Sequence, residues 1–598
     1  MRISSKGITR EAASFVFRFD DRPVTAYPGE SLAAALIAAG IPAFRQTRKA
    51  AARGPFCGMG VCGECQVQID GVSRRACMEP ARANIDVRTA PALVPSGALD
   101  AAATQSSHLR WPELSPDVLI VGAGPAGLSA ARVAAASGLR VLVVDERGKA
   151  GGQFFKQPGT GFIVDESAID AQFAEGRQLY RSARTAGADF MMGATVWGAF
   201  APNAIAVASE GHTYMIKPRR LILATGAYER AVPVPGWTLP GVMTTGAAQT
   251  LLRAYQIAPG NRVIIAGNGP LNLQVAHELV RAGVKVVAIA ETAGPPYVAA
   301  PGAILSMATS APKLLLAGLA QVVGLRMRGV RIHYRHALVG VEGQARAERA
   351  TLAAIDSSGN AVTGTQKTYD VDAICVNHGF LPQSELARSL GCAFRFDASN
   401  ASFAAERGAD GRTNVDGVFI VGDAGGMRGA RVAIAQGAVA GAAVAAELGV
   451  SALPTQAELT QYRKELRQHG RFQDSLWQVF GGPTLTTQLA GADTLICRCE
   501  EVDRAGVEDS LGQHAASFGM LKRATRVGMG RCQGRYCATS CAQLMATRFG
   551  TAPQAGEFFA PRGPFKPMPI SCLAGETGDE VAAVDVLRTS GRDANILS

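Results

Sequence analysis

Eight cysteines fall into two tight groups at opposite ends of this 598-residue chain, with a glycine-rich nucleotide signature between them, and few folds accommodate that order. Near the N-terminus Cys57, Cys62, Cys65 and Cys77 read C-x4-C-x2-C-x11-C; near the C-terminus Cys497, Cys499, Cys532 and Cys537 read C-x-C-x32-C-x4-C. Each group offers four thiolates, the number a [2Fe-2S] cluster takes, so the pattern points to electron transfer. The two groups are expected as independent sites. Cys375, Cys392, Cys541 and Cys572 are scattered and outline no disulfide framework. A reducing compartment would keep the thiols available for metal.

The first group sits in Pro55-Phe56-Cys57-Gly58-Met59-Gly60-Val61-Cys62-Gly63-Glu64-Cys65. Gly58, Gly60 and Gly63 permit positive φ and close approach, so backbone N–H groups can point at cluster sulfurs. Upstream, Phe15, Phe17 and Phe19 share one side of a predicted strand, and a helix is predicted over Ser31 to Ala39. Downstream, Gln66 to Ile69 predicts a strand, Asp70-Gly71 a hairpin turn, and Val72 to Cys77 the strand that returns the fourth thiol. The segment resembles the β-grasp ferredoxins; a zinc site or inert thiols are the alternatives.

A nucleotide-binding core follows. Asp117 to Val121 predicts a buried parallel strand, and Gly122, Gly124 and Gly127, with Ala126 between them, form G-x-G-x-x-G at the start of a helix. The first glycine makes the turn, the second admits a pyrophosphate, and the third lets the helix pack closely with its N-terminus toward phosphate. A second strand ends in Asp145, the expected ribose ligand, with Glu146 as the adjacent alternative. Strand Leu221 to Leu223 leads into Ala224-Thr225-Gly226, and Gly417 to Gly422 leads into Asp423. Both segments resemble those of two-dinucleotide flavoproteins, in which the aspartate holds the ribityl chain, and together they imply FAD. Gly151-Gly152-Gln153 resembles the thioredoxin-reductase group, where the glutamine approaches the flavin. A helix starting near Arg431 would aim its positive end at the isoalloxazine.

A second nucleotide unit, Arg262 to Ala290, is degenerate. It keeps Gly267 and Gly269, but Asn272 replaces the third glycine, and the expected acid is Ala290 with Glu291 one position late. No arginine cluster follows to grip a 2′-phosphate, which argues against NADPH. Either a retained NAD or ATP site or a structural domain fits. No Cys-x-x-Cys pair occurs here, which argues against disulfide reduction.

The C-terminal cysteines resemble the small helical [2Fe-2S] domain of bacterioferritin-associated ferredoxin. That domain usually closes with C-x2-C, whereas this chain has C-x4-C; Cys541 is a possible substitute ligand, and structural zinc is the alternative.

An apolar share of 47% can fill several cores. The net charge of +11 is spread along the chain without a nucleic-acid recognition motif, so no nucleic-acid partner is expected. Its local concentrations, Arg45, Arg48, Lys49 and Arg53 and then Lys522, Arg523, Arg526, Arg531 and Arg535, flank the cysteines. Cations there would raise the potential of an anionic cluster; a solvated face is the alternative. No transmembrane segment is expected, and the location is read as cytoplasmic, with peripheral membrane attachment allowed.

The three motif sets in this order, with Ala227-Tyr228-Glu229-Arg230 and Pro235-Gly236-Trp237-Thr238-Leu239-Pro240-Gly241-Val242, resemble the FAD/[2Fe-2S] α subunit of heteromeric bacterial amine and amino-acid dehydrogenases. That family covers opine oxidase, D-hydroxyproline and proline dehydrogenase and cyanide synthase and, remotely, the sarcosine oxidase α subunit. The implied fold is α/β: a Rossmann-like two-dinucleotide flavoprotein core with an N-terminal β-grasp domain and a C-terminal helical cluster domain. Expected boundaries are 1–95 for the ferredoxin-like domain, 96–115 for a linker, and 116–245 with 371–450 for the FAD domain. The second nucleotide unit spans 246–370, a helical connector 451–490, the second cluster domain 491–555 and a tail 556–598. The resemblance implies FAD, two [2Fe-2S] clusters and an FMN shared with a partner. It also implies an acceptor such as a quinone, and a D-amino-acid-oxidase-type flavoprotein β subunit. A self-contained NADH-dependent reductase is the alternative, and no catalytic residue is identified.

Overall fold

The computed structural model describes residues 1–573 except 11–12, 92–110, 398–400, 451–453, 514–515, 552–553 and 556–557. Most of the expected linker and the end of the expected tail lie outside the described residues.

Two parallel sheets form the centre. The first has the order Asp189–Met192, Val141–Asp145, Val118–Val121, Arg220–Leu223, Val418–Ile420. Its middle strand is buried at every position, as expected for an apolar run covered on both faces. Helices Pro125–Ala136 and Gly429–Glu447 pack on it. Their approach needs small residues: a Cβ on Gly437 would lie 2.1 Å from the Ala126 carbonyl oxygen, and one on Gly441 2.7 Å from that of Ala130. Gly429–Glu447 is the one helix among the described residues long and apolar enough to cross a membrane, and here it is largely buried in the core.

The second sheet runs Val242–Thr244, Ala373–Asn377, Arg262–Gly267, Lys285–Glu291, Arg331–Tyr334. Helix Pro270–Arg281 packs against it, and Gln456–Val479 caps the end of the unit. That last helix continues well past the polar stretch legible at 458–468.

The N-terminal domain is a five-stranded sheet in the order Arg22–Ala26, Phe15–Phe19, Asp86–Thr89, Gln66–Ile69, Val72–Arg75, with helix Leu32–Ala38 capped by the Ser31 hydroxyl. Asp70 and Gly71 both have positive φ, the conformation that closes a two-residue hairpin. Three helices, Arg504–Gln513, Phe518–Thr525 and Ala538–Phe549, build the C-terminal domain.

The chain ends are more integrated than the expected boundaries imply. Ile8–Arg10 pairs with Phe162–Val164 of the first parallel-sheet unit rather than with the five-stranded N-terminal sheet. Beyond residue 557, Phe558, Phe559, Phe565 and Cys572 are buried and Lys566 reaches Glu146. This stretch is packed structure where a tail was expected.

Candidate cofactor sites and the contact between them

The N-terminal loop carries its glycines at φ +60° (Gly58), +73° (Gly60) and +68° (Gly63). A Cβ on Gly58 would come within 2.9 Å of Ala247 Cα, so the loop docks on helix Thr245–Tyr255 through a contact only glycine allows. The loop turns its amides inward as expected: Cys62 N–H donates to Cys57 Sγ and Glu64 N–H to Cys62 Sγ, both at 3.4 Å. The thiols meet pairwise, Cys57 with Cys62 and Cys65 with Cys77, and all four are buried. Burial pushes the Cys57 thiol up, but the Cys62 thiol and the Met59, Cys62 and Val61 amides hold it down at about 6.

In the C-terminal group Cys497 and Cys499 lie 3.8 Å apart, as do Cys499 and Cys532, while Cys537 meets both Cys497 and Cys541. A Cβ on Gly530 would lie 2.3 Å from Cys499 Sγ, so the loop closes directly over sulfur. Both quartets gather buried or half-buried thiols on glycine-permitted loops, and in each a sulfur accepts from backbone amides, Cys57 and Cys62 in the first and Cys532, from Tyr536 and Gly534, in the second. Those features fit a thiolate-held [2Fe-2S] group.

The two quartets are not separate. Arg498, between Cys497 and Cys499, points its guanidinium to within 4.0 Å of Glu64, between Cys62 and Cys65. Arg45 at 3.1 Å and Arg53 at 3.7 Å complete the ring around that buried carboxylate. Burial raises the Glu64 carboxyl, but these cations and Arg531 win and leave it below the usual carboxylate range. Phe56, preceding Cys57, meets Tyr536, preceding Cys537, edge-on with ring centroids 5.3 Å apart. Arg498 also stacks over Phe56 at 3.9 Å and Trp237 at 4.6 Å and donates to the Trp237 carbonyl at 2.7 Å. The two ligand sets are separate, as expected, but they share a buried boundary: Glu64 and Arg498, 434 positions apart in the chain, meet across it. Of the flanking cations, Arg45, Arg53, Arg498 and Arg535 are buried, whereas Arg48, Lys49, Arg523 and Arg526 are exposed.

The segments Ala227–Arg230 and Pro235–Val242, to which the sequence pattern assigns no role of their own, build the seat of this boundary. Trp237 is 2% exposed and its indole N–H donates to the Leu495 carbonyl at 2.9 Å; Tyr228 packs on Tyr536. Arg230 donates to the His378 carbonyl at 2.6 Å.

A cavity of about 490 Å3 runs along the first sheet. It gathers Gly122, Gly124, Ala126, Asp145, Glu146, Gln153, Thr225, Gly226 and Asp423 on its walls, and Gly127 lies just behind. A Cβ on Gly127 would sit 1.8 Å from the Gly122 carbonyl oxygen, and one on Gly122 2.4 Å from that of Ala224; both glycines serve chain packing. Gly124 differs, since its nearest neighbour would be Gly152 Cα at 3.8 Å, and its open face belongs to the cavity. Arg147 on the same wall has a buried Nη2 with no hydrogen-bond partner among the described residues. An unpaired buried donor beside a bare helix N-terminus suits an anionic dinucleotide.

Two adjacent carboxylates at the end of Val141–Asp145 behave differently. Asp145 accepts from Ala123 N–H at 2.7 Å and Arg147 N–H at 2.8 Å, so it braces the glycine turn, whereas Glu146 faces Lys566. Asp423 accepts from Arg428 and Gly429 N–H at 3.0 and 3.1 Å, fixing the start of Gly429–Glu447. The cavity lining also includes Met59 of the first cysteine loop, Lys156 and Glu229. Lys156 donates to the Gln153 carbonyl and to Gln249 Oε1, both at 2.8 Å, and burial lowers it to about 7. Nothing in the local sequence marks Lys156.

In the second unit Glu291 accepts from Asn268 Nδ2 at 2.9 Å and Gly269 N–H at 3.0 Å, closing the glycine loop on itself. Burial raises its carboxyl to about 7. Asn272 accepts from Thr245 Oγ1 and donates to the Asn377 carbonyl, fully buried where the third glycine was expected. Gly267, at φ +146°, presses on the Asn377 carbonyl, and Trp477 covers Gly269.

Comparison with known proteins fits this geometry. The model for pyridine nucleotide-disulphide oxidoreductases matches residues 116–437. The chain belongs to that family. A 2Fe-2S iron-sulfur cluster binding domain matches residues 12–92, and a BFD-like [2Fe-2S] binding domain matches 495–547. The A subunit of opine oxidase from Agrobacterium tumefaciens (strain Ach5) is 31% identical, over 77% of this chain and 91% of that protein. The HcnB subunit of hydrogen cyanide synthase from Pseudomonas protegens is 29% identical, over 77% of this chain and 98% of that one. L-proline dehydrogenase from P. horikoshii shares the fold, with a TM-score of 0.68 at 21% identity over 94% of this chain and 98% of that structure. The chain is an FAD- and [2Fe-2S]-dependent oxidoreductase of the family that includes this opine oxidase.

Proposed function

We propose that the chain is the redox subunit of a multi-subunit dye-linked dehydrogenase for an amine or amino acid of the opine, proline, hydroxyproline or glycine type. Oxidation of the C–N bond takes place on a partner flavoprotein subunit of the D-amino-acid-oxidase type, and an acceptor such as a quinone takes the electrons. One observation carries this reading: the cysteine quartets from opposite ends of the chain meet across Glu64 and Arg498, and the first of them reaches the flavoprotein cavity through Met59. FAD exchanges electrons in pairs or singly, while each [2Fe-2S] group holds one at a time.

In this reading Cys57, Cys62, Cys65 and Cys77 hold one cluster and Cys497, Cys499, Cys532 and Cys537 the other, with Cys541 as a neighbouring thiol. Gly122, Gly124, Ala126 and Gly127 shape the pyrophosphate turn, and Thr225, Gly226 and Gln153 line the flavin. Asp423 serves the ribityl chain. Glu146 takes the adenosine ribose, since both Asp145 oxygens already accept backbone N–H groups. Lys156 places an ammonium of lowered proton affinity in the cavity wall beside Gln153, where it can hold or release a proton.

The second unit acts structurally, because Glu291 and Asn272 spend their polar atoms inside the protein. The NAD or ATP considered for Gly267, Gly269 and Glu291 is left out, and the FMN implied by the family resemblance belongs to the boundary with the partner. Adding NADH anaerobically to the isolated chain tests this: the flavin stays oxidised, whereas prompt bleaching would favour the self-contained NADH-dependent reductase. Co-purification from the native host identifies the partner, and a flavoprotein subunit is expected.

A further inference from the structure

Helices Pro301–Ser310 and Pro312–Met327 form a hairpin on the outside of the second nucleotide unit. Its inner face is well held. Ala303, Met307 and Ala311 pack on Phe472 and Val479 of helix Gln456–Val479, and Ser475 Oγ donates to Ser306 Oγ at 2.8 Å. Among the described residues the outer face is uncovered and apolar: Leu305 is 68% exposed, Leu316 65%, Leu319 50%, Val323 53% and Met327 82%, with Val298 at 70% just before the hairpin. Leu316, Leu319, Val323 and Met327 follow one another at three- and four-residue steps, so they form a continuous stripe. Helices that are apolar nearly all round are ordinarily buried, and a contiguous exposed patch of this kind marks a binding surface.

Along the hairpin's own segment the charge is one-sided. From Thr292 to Val341 the chain has no Asp or Glu, while Lys313, Arg326, Arg328, Arg331 and Arg335 lie in that span. Lys313, Arg326, Arg328 and Arg331 are exposed, at the two ends of the second helix and just beyond it. An apolar strip whose own segment carries exposed cations and no acid suits an anionic lipid surface. The helix is 16 residues long, too short to cross a bilayer, so it would lie along the surface. Leu314 of the same helix, with Phe472, Leu476 and Trp477, lines the flavoprotein cavity.

We propose that the Pro301–Met327 hairpin seats the protein on an anionic membrane surface, its apolar stripe among the acyl chains and its cations at the headgroups. This seating would bring the Leu314 wall of the cavity close to the membrane. It deepens the proposed function, on which it rests only for the meaning of that placement: a lipid-soluble acceptor is concentrated where the cavity wall meets the hairpin.

The test is co-sedimentation of the cofactor-loaded protein with vesicles of phosphatidylcholine alone or of phosphatidylcholine with phosphatidylglycerol. The wild type should bind the anionic vesicles at least tenfold better, and high salt should weaken that preference. Leu316→Glu with Leu319→Glu should reduce binding on the order of tenfold or more while leaving the flavin absorbance unchanged. Arg326→Ala with Arg328→Ala should remove part of the salt-sensitive component. As a measurement on the wild type itself, amide exchange across 301–327 should slow when anionic vesicles are added. Equal binding to both vesicle types, or unchanged exchange, overturns the proposal. So does a Leu316→Glu/Leu319→Glu protein that binds vesicles normally but no longer co-elutes with its flavoprotein partner, because the stripe would then be an interface between subunits. Flavin and iron content report on the redox-subunit reading separately from any of these outcomes.

Discussion

Arg498 and Glu64 face each other at 4.0 Å in a buried pocket, each flanked on both sides by cysteines of its own quartet. Taking charges out of water is costly unless they are paired, so this ionic group holds the N- and C-terminal domains in one register. Glu64→Gln would leave Arg45, Arg53 and Arg498 facing one another and should cost about 3 kcal/mol of stability in denaturant titration. Loss of the negative charge should also raise the midpoint potential of both clusters, on the order of tens of millivolts by redox titration. An upward shift confined to one cluster would show that the charge belongs to that domain alone.

Two clusters across so thin a boundary should sense one another. Dithionite-reduced protein is expected to contain about four iron atoms and to give two rhombic EPR signals broadened by mutual spin interaction. Cys499→Ser should remove one signal and sharpen the other, and Cys62→Ser should do the converse. Signals that add without broadening would place the quartets farther apart than the 5.3 Å Phe56–Tyr536 contact suggests.

The glycines of the first turn separate flavin binding from folding. Gly124→Val should lower FAD content severalfold with little change in stability, because a side chain there meets the cavity before it meets protein. Gly127→Ala should destabilise the fold by several kcal/mol, because its Cβ overlaps the Gly122 carbonyl. Gly269→Val should leave flavin content intact. Asp423→Asn should keep the cap on Arg428 and Gly429 while weakening FAD, whereas Asp423→Ala should lose both.

Much of this was legible locally. Cysteine spacing, the G-x-G-x-x-G turn, the strand ending at Asp145 and the strands leading into Gly226 and Asp423 are short-range signals, because ligand loops and tight turns demand specific residues at fixed offsets. The Arg498–Glu64 contact, the reach of Lys566 to Glu146 and the cover that Trp477 lays over Gly269 are tertiary, joining residues hundreds of positions apart with no periodicity to reveal them. Lys156 was equally hidden, since what lowers its proton affinity is burial rather than its neighbours in sequence.

Glu291 gives a pH signature. Its carboxyl is raised by burial to about 7, so between roughly pH 4.5 and 7 the native state keeps a proton that the unfolded chain has lost. The native state then binds more protons, and its stability falls as pH rises through that window. Compared with Glu291→Gln, the wild type should lose at most about 3 kcal/mol between about pH 5 and pH 8 in denaturant melts. A wild-type–variant difference that is flat with pH would mean that Glu291 is ionised in the folded protein.

In the proposed function, substrate oxidation lies outside this chain. The isolated, cofactor-loaded protein, shown by mass spectrometry to lack a partner, is mixed anaerobically with proline, hydroxyproline, sarcosine, glycine, octopine or nopaline while the flavin absorbance is followed. The flavin should stay oxidised with each compound and become reduced by one of them once the partner flavoprotein is added. Rapid reduction without the partner would put the substrate site in this chain and contradict the account.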